Sequence, residues 1–88
     1  MNLKIDESFE KDLRKLRSKP LNLKVASIIR EVMAAQNIGE INHIKQLKGS
    51  GVHFRIRVGD YRIGLIYTRS AVIFVRILHR KEIYRFFP

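Results

Sequence analysis

Three arginines around one short turn have the type and spacing to bind a phosphate group. Arg55 and Arg57 lie on the segment Val52–Val58, in which apolar and polar residues alternate as they do along a half-buried β-strand. Gly59-Asp60 is typical of a two-residue hairpin turn, which would pair Arg57 with Arg62 across the two strands. Like charges placed directly opposite each other destabilise a sheet, whereas guanidinium groups bind phosphate oxygens two at a time. The pattern therefore predicts a sheet face that binds an anion.

The same hairpin places Gly64 opposite Arg55, which predicts a spot without a side chain beside the arginines. The alternative interpretation is an ordinary solvated face, whose arginine stems cover apolar surface. Neither strand carries an acidic residue placed to neutralise the three arginines, and Asp60 in the turn is the nearest one. We therefore favour the anion-binding interpretation.

Cleavage of RNA by its own 2′-hydroxyl is a reaction that such a face can serve. It needs a base for the hydroxyl, cations for the charge that develops at phosphorus, and an acid for the leaving oxygen. Arg57, Arg62 and Arg80 are the candidate cations. His79 is a candidate for proton transfer near neutral pH, and Tyr84 can donate a proton or stack on a base. Candidates that rank lower for proton transfer are His43, His53 and Glu82.

The overall charge also indicates a polyanionic partner. The chain has 18 lysines and arginines against 8 acidic residues, a formal net charge of +10. Binding of a polyanion relieves the self-repulsion of such a chain and releases counterions. The first candidate is nucleic acid, and an acidic protein is a second that is compatible with it. The predicted nucleic-acid contacts, beside the candidate catalytic residues, are Lys45, Lys48, His53 and Arg55.

Composition excludes several other classes of protein. The 88 residues predict a single domain, residues 1–88, and the absence of cysteine excludes disulfides and thiolate metal sites. No two histidines have the spacing of metal ligands, so we expect neither a metal nor another cofactor. No apolar run approaches the roughly 18 residues that span a bilayer, and the first residues do not resemble a signal peptide. We expect a cytoplasmic protein that does not bind membranes.

Hydrophobic periodicity predicts the elements that position these residues. Met1–Ile5 is a short strand, and Asp6 or Ser8 caps a helix whose apolar stripe is Phe9, Leu13 and Leu16. Pro20 suits the first turn of a second helix that continues to about Gln36. The apolar positions of this second helix are Leu21, Val25, Ile28, Ile29, Val32 and Met33.

The second half of the chain predicts a three-stranded antiparallel meander. Gly39 ends the helical region, and Glu40–Ser50 is a connection. The strands are Val52–Val58, Tyr61–Tyr67 and Val72–Leu78, with a turn at Thr68-Arg69-Ser70 and one helical turn in the tail. The pattern does not determine on which face of the sheet Arg76 lies, and we favour a structural role for this residue. The fold class is α+β: a short strand, a two-helix hairpin and a meander, in the order β-α-α-β-β-β.

Three short motifs resemble the RelE/ParE toxin superfamily. Arg57-Val58-Gly59-Asp60-Tyr61-Arg62 is similar to the R-x-G-D-Y-R hairpin of that family, and His79–Arg85 is similar to its C-terminal H-R-K-x-x-Y-R signature. Leu47-Lys48-Gly49, before the hairpin, fits as well. The similarity covers the order of elements along essentially the whole chain.

The resemblance implies the toxin of a toxin–antitoxin system. RelE-like members cut messenger RNA in the ribosomal decoding site without a metal, and a cognate antitoxin blocks them; here we expect an acidic one. Family positions correspond to Arg55, Arg57, Arg62, Arg80 and Tyr84. RelE itself has lysines in place of Arg55 and Arg57 and a longer spacing between Arg80 and Tyr84. Because arginine stays protonated, this difference leaves the identity of the base open and strengthens His79 as a candidate.

The expected function is therefore a metal-independent endoribonuclease that cleaves messenger RNA at the ribosomal A site. The alternative is a ParE-like inhibitor of DNA gyrase without nuclease activity, which would have the same fold. A third interpretation is a non-catalytic nucleic-acid-binding module. The arginines, His79 and Tyr84 favour the nuclease. The sequence leaves the oligomeric state open.

Overall fold

A five-stranded mixed sheet carries two helices on one face and the C-terminal tail on the other. The computed structural model describes residues 1–69 and 71–88. The elements are β1 (Asn2–Ile5), α1 (Glu7–Leu16), α2 (Lys19–Ala34), a 3₁₀ turn (Ile38–Glu40), β2 (Ile44–Gln46), β3 (His53–Val58), β4 (Tyr61–Thr68), β5 (Ala71–His79) and α3 (Ile83–Phe86). The strand order is β1-β5-β4-β3-β2, with β1 parallel to β5 and the other pairs antiparallel. The predicted α+β class is confirmed. The predicted turn at 68–70 includes Ser70, which lies outside the described residues.

Both long helices begin where side chains can cap them. The Asp6 carboxylate accepts the backbone N–H of Ser8 at 3.1 Å, and the Ser18 hydroxyl accepts that of Leu21 at 3.2 Å. Pro20 lies in the first turn of α2, as predicted. Arg17, in the left-handed region at φ 47°, ends α1 and lets the chain reverse into α2. Among the described residues, no helix has the length and apolarity that a membrane crossing requires.

The core lies between the two helices and the sheet face that they cover. Phe9 of α1 meets Phe74 of β5 with ring centroids 5.3 Å apart, and Leu21 and Val25 of α2 are buried. Leu13 and Leu16 pack against this core as predicted. Met33, predicted as part of the apolar stripe of α2, is instead 61% exposed because it falls beside the buried position Val32 and outside the sheet contact.

The predicted connection over residues 40–50 contains a strand. Ile44–Gln46 pairs with β3, so that Ile44 is opposite Ile56 and Lys45 is opposite Arg55. Three residues are too few to show alternation in a sequence, and the partner strand fixes their conformation. The pairing places Lys45 on the same sheet face as Arg55.

A bulge in β5 reverses the alternation of side chains along that strand. Gly64 pairs with Arg76 but Leu65 pairs with Phe74, so Val75 is an extra residue on β5. Phe74 and Ile77 therefore both face the core, although they are three residues apart.

Side chains of α1 cover the edge of β5 where β1 ends. The Ser8 hydroxyl lies beside the backbone carbonyl of Val75, and the buried Asp12 carboxylate accepts the N–H of Ile77 at 3.1 Å. The same carboxylate accepts Arg76 Nε at 2.7 Å and Nη2 at 3.0 Å. This bond raises the pKa of the Arg76 guanidinium against the opposing effect of burial. Arg76 therefore has the structural role that the sequence favoured.

Candidate nucleic-acid interface

The hairpin brings the predicted arginines together on one face of the sheet. Val58 is opposite Tyr61, Arg57 is opposite Arg62, and Arg55 is opposite Gly64, which is the predicted register. Gly59 has φ 59°, a left-handed conformation that glycine adopts without strain in this turn. The arginines point away from the face that the helices cover, where Ile56 and Ile63 are buried.

Arg62 is at the centre of this group. Burial is the largest cause of a lowered pKa at Arg62. The positive charges of Arg55, Arg57 and Arg80 lower this pKa further, while Tyr84 raises it. Its Nη1 donates to the carbonyls of Gly59 at 2.8 Å and Tyr61 at 2.9 Å, which holds the side chain over the turn. We call the four residues Arg55, Arg57, Arg62 and Arg80 the arginine cluster.

The arginine cluster has little internal compensation. Within residues 1–69 and 71–88, the three ion pairs join Lys11 to Glu7, Arg14 to Glu10 and Arg76 to Asp12, so none includes a cluster arginine. In the same part of the chain, the buried Nε of Arg55 has no hydrogen-bond partner. Concentrated guanidinium donors without acidic partners are suited to an anion with several oxygens, such as a phosphodiester.

Tyr84 extends this face toward a basic cleft. A cavity of about 310 Å³ separates the C-terminal tail from β2 and the loop after it, and its lining includes Lys45, Lys48 and Tyr84. Tyr84 is 59% exposed, and it shares this cavity with Lys45, which is opposite Arg55 of the arginine cluster. The predicted residues Lys45, Lys48 and Tyr84 thus border one region, continuous with the arginines.

The spot beside Arg55 that was predicted to be empty is filled by the tail. A β-carbon built on Gly64 would lie 2.6 Å from the nearest ring atoms of Phe87, so the ring packs directly on the strand. Phe87 is 3% exposed, and Ile83 of α3 is fully buried. The tail is therefore anchored to this face at two points, and Tyr84 projects from between them.

His79 lies on the other face of the sheet. It pairs with Tyr61, and the two rings meet edge to face with centroids 5.6 Å apart. Its further neighbours around a groove include Lys15 and Leu16 of α1. The structure therefore does not bring His79 together with the arginine cluster, because the β5 bulge places residues 77 and 79 on the helix side.

His53 lies on the same face as Arg55 but is engaged internally. Its Nδ1 is hydrogen-bonded to the hydroxyl of Ser50, and its ring meets Phe87 at a centroid distance of 5.4 Å. His53 therefore supports the tail, and its ring is half-buried.

His43, which the sequence ranked below His79, directly contacts the arginine cluster. Its backbone carbonyl accepts Arg55 Nη1 at 3.0 Å and the N–H of Arg57 at 3.1 Å. Its Nδ1 is 3.1 Å from Arg57 Nη2. The signal in the sequence was weak, since His43 precedes a strand too short to be recognised.

The donor set is suited to anions more than to metal ions. Across the described ranges 1–69 and 71–88, no three histidine or acidic side chains are grouped as metal ligands would be. What the arrangement provides chemically is positive charge, hydrogen-bond donors in fixed positions, and one exposed phenol beside them.

Comparisons with known proteins agree on one family. Residues 3–84 match the family model described as the ParE toxin of the type II toxin–antitoxin system parDE. The chain is 36% identical over 89 residues to Toxin RelE3 of Methanocaldococcus jannaschii, covering all of both chains.

Solved structures give the same result for the fold. The RelE chain of a RelB–RelE antitoxin–toxin complex from Methanococcus jannaschii is similar at TM-score 0.81 and 36% identity, covering 97% of this chain and 99% of that one. A chain of the toxin–antitoxin complex RelBE2 from Mycobacterium tuberculosis has TM-score 0.61 at 21% identity, covering 90% and 96%. YafQ from E. coli has TM-score 0.65 at 14% identity, covering 94% and 97%. At these lower identities the likeness concerns the fold alone.

Proposed function

Because this chain belongs to the RelE/ParE superfamily of toxins from type II toxin–antitoxin systems, we propose that it is an endoribonuclease that cleaves messenger RNA through the arginine cluster. The observation that carries the proposal is the hairpin register, which places Arg55, Arg57 and the half-buried Arg62 on one sheet face, with no ion pair to an acidic residue among the described residues. Several guanidinium groups without acidic partners can bind the RNA backbone and stabilise the negative charge at the phosphate that reacts.

The reaction that fits these residues is attack by the 2′-hydroxyl of RNA on the adjacent phosphorus. The hydroxyl gives its proton to a base, the bond from phosphorus to the 5′-oxygen breaks, and that oxygen receives a proton. The products are a 2′,3′-cyclic phosphate and a 5′-hydroxyl. The role of the arginine cluster is to bind the non-bridging oxygens, whose charge increases in the transition state.

We assign to Tyr84 the donation of a proton to the leaving oxygen, because its phenol is exposed and borders the same cleft as Lys45. Lys45 is our candidate for the base. It lies opposite Arg55, and an amine can accept a proton once it has given up its own, whereas a guanidinium stays charged. His79 has no part in this proposal, since it lies on the helix side.

The partners proposed for this chain are an acidic cognate antitoxin and ribosome-bound messenger RNA. The similar archaeal toxin was solved as a complex with RelB, which supports an antitoxin partner. The net charge of +10 supports attraction to both an acidic protein and RNA. We place the action on the ribosome, in the cytoplasm, because the resemblance to RelE implies a substrate in the decoding site.

The experiment that tests the proposal is messenger RNA cleavage on programmed ribosomes in the presence of a chelator. Wild type is compared with Arg62→Ala and Arg80→Ala, with Arg14→Ala as the matched control. Arg14 is exposed on α1, where it lies 4.0 Å from Glu10, so its loss removes one positive charge far from the arginine face. We expect each cluster variant to lose roughly 100-fold or more in rate, as for other removals of a transition-state donor.

The outcomes separate the remaining functions. Cleavage by wild type and Arg14→Ala, lost in both folded cluster variants, supports the nuclease. A folded wild type that does not cleave contradicts it, and inhibition of DNA gyrase in a supercoiling assay then supports the alternative. Uniform weakening of RNA binding, with no residue needed for turnover, would identify a binding module.

A further inference from the structure

The contacts of His43 indicate that it holds two members of the arginine cluster in place. It lies between the 3₁₀ turn and β2, at the end of the sheet nearest the β3–β4 turn. Its carbonyl accepts Arg55 Nη1, and its ring contacts Arg57 Nη2. One residue therefore bonds to the guanidinium groups of two neighbouring arginines on β3.

The bond to Arg57 specifies the protonation state of the ring. A guanidinium has donors and no acceptor, so His43 Nδ1 is the acceptor in this pair. The imidazole that makes the bond is neutral and carries its hydrogen on Nε2. A doubly protonated ring has no acceptor, and it adds a positive charge beside two others.

The backbone of His43 is also specialised. Its φ is 63°, in the left-handed region, which Asn and Gly adopt far more readily than alanine does. This conformation accompanies a carbonyl that accepts both Arg55 Nη1 and the N–H of Arg57.

The charged groups near His43 include two carboxylates, and within the described residues neither forms an ion pair with Arg55 or Arg57. Glu31 of α2 accepts the N–H of Asn42 at 2.7 Å, and Glu40 of the 3₁₀ turn accepts the N–H groups of Gln36 and Asn37 at 2.7 and 2.9 Å. From the sheet, Arg55 and Arg57 contact His43, and Lys45 follows two residues later in β2. Both neighbouring carboxylates thus already have backbone donors, and the sheet presents positive charge.

We propose that His43 is a positioning residue, which orients Arg55 and Arg57 toward the scissile phosphate and does so only while its ring is neutral. The inference rests on the proposed function, since the phosphate is that of the RNA substrate. A protonated ring can no longer accept from Arg57, so the cleavage step slows at a pH low enough to protonate it. The extra charge does not weaken RNA binding.

Two variants separate the ring from the backbone. His43→Gly removes the ring and tolerates the left-handed backbone, whereas alanine would add strain there. His43→Asn keeps an acceptor near the position of Nδ1, tolerates the same backbone and does not titrate. Single-turnover cleavage is measured between pH 5.5 and 8, together with binding of a 2′-deoxy-substituted oligonucleotide that cannot be cleaved.

We expect His43→Gly to lose roughly ten- to a hundredfold in cleavage rate at pH 8, with RNA binding nearly unchanged, because a hydrogen bond to a charged group is lost. His43→Asn restores most of that rate and lacks the decline at low pH that wild type shows. Wild-type rate and pH profile in His43→Gly would overturn the proposal, and so would a decline in His43→Asn that matches wild type.

A nuclear magnetic resonance titration keeps this inference separate from the proposed function. Side-chain nitrogen signals of His43 and Arg57 are followed against pH with the uncleavable oligonucleotide bound. If wild type cleaves nothing, the proposed nuclease fails. The bond by which His43 holds Arg57 is then still supported if the Arg57 signal of wild type changes as His43 gains its proton and that change is absent in His43→Asn. An Arg57 signal that does not change when His43 is protonated would overturn the proposed role of His43.

Discussion

The ring of Phe87 lies directly on Gly64, so close that a β-carbon at residue 64 would be 2.6 Å from two ring atoms. This contact joins the last residues of the chain to the middle of β4, between the arginine cluster and the bulge. It explains why a glycine occupies a central strand, where a side chain would ordinarily add packing. The position of Tyr84 depends on this contact, because Tyr84 projects from the segment that Phe87 and Ile83 anchor.

We expect Gly64→Ala to release the tail. The added methyl group collides with a buried ring, so the free energy of unfolding should fall by about 1–3 kcal/mol, as in other overpacked cores. RNA cleavage should fall too, because Tyr84 moves. Urea unfolding and hydrogen exchange of the amides at 83–87 measure the two effects. The matched control is Gly51→Ala, whose new methyl group meets nothing within 4 Å, and equal behaviour of the two variants would refute this account.

Asp12→Ala should be among the most destabilising single changes. It leaves the Arg76 guanidinium and the N–H of Ile77 without their acceptor, at a cost of about 3 kcal/mol. Asp12→Asn should cost less, since its amide oxygen still accepts the Ile77 N–H. Chemical unfolding is the measurement, and Glu10→Ala, on an exposed pair, is the control with a loss of about 0.5 kcal/mol or less. A loss in Asp12→Ala no greater than in the control would contradict the structural role.

His79→Gln should cleave RNA at close to the wild-type rate, in contrast to Tyr84→Phe. The reason is geometric, since His79 contacts Tyr61 on the helix side while Tyr84 borders the cleft that Lys45 lines on the arginine side. Single-turnover rates on programmed ribosomes provide the comparison. A large loss of rate in a stably folded His79→Gln would return His79 to the catalytic group.

The pH dependence of stability should include a contribution from Asp6. Hydrogen bonds from the Ser8 hydroxyl and backbone N–H lower the pKa of this carboxyl below its usual value of about 3.9. A carboxyl whose pKa is lower in the folded than in the unfolded state stabilises the fold at pH values above its unfolded pKa. That stabilisation is lost as the pH falls through its folded pKa. Between pH 5 and 2, the melting temperature of wild type should therefore fall more than that of Asp6→Asn, which keeps a capping group. Parallel curves for the two proteins would rule out this contribution.

The salt dependence of RNA binding should report on Arg57. Removing one phosphate contact lowers the slope of log affinity against log salt by about 0.7 for a single strand. Arg57→Ala should show this change and Arg14→Ala should not, because Arg14 lies on α1, which packs against the opposite face of the sheet. Fluorescence anisotropy at several salt concentrations is sufficient. Equal slopes for the two variants would mean that Arg57 does not contact the phosphate backbone of the RNA.

The parts of the fold that could be predicted are those that local residues determine. Gly59-Asp60 sets a two-residue turn, and that turn alone fixes which residues of β3 and β4 are opposite each other. Asp6, Ser18 and Pro20 likewise mark the helix starts through contacts within a few residues.

The parts that could not be predicted depend on residues far apart in the chain. Asp12 and Arg76 are 64 residues apart, and neither has a local reason to be buried. The bulge at Val75 interrupts the alternation of β5, so counting from Val72 assigns the wrong side to residues near His79. For the same reason β2 and the contact of Phe87 with Gly64 emerge only when the sheet is assembled.

Arg57 and Arg62 are opposite each other, and among the described residues neither forms an ion pair with an acidic side chain. This arrangement affects which substitutions such a chain can accept during evolution. A neutral residue at either position removes a repulsion together with a phosphate ligand. Loss of toxicity by this route does not require loss of structure, and we expect the harmless descendants to fold at least as well as their parent. Selection for stability and selection for activity thus act in opposite directions at these two positions.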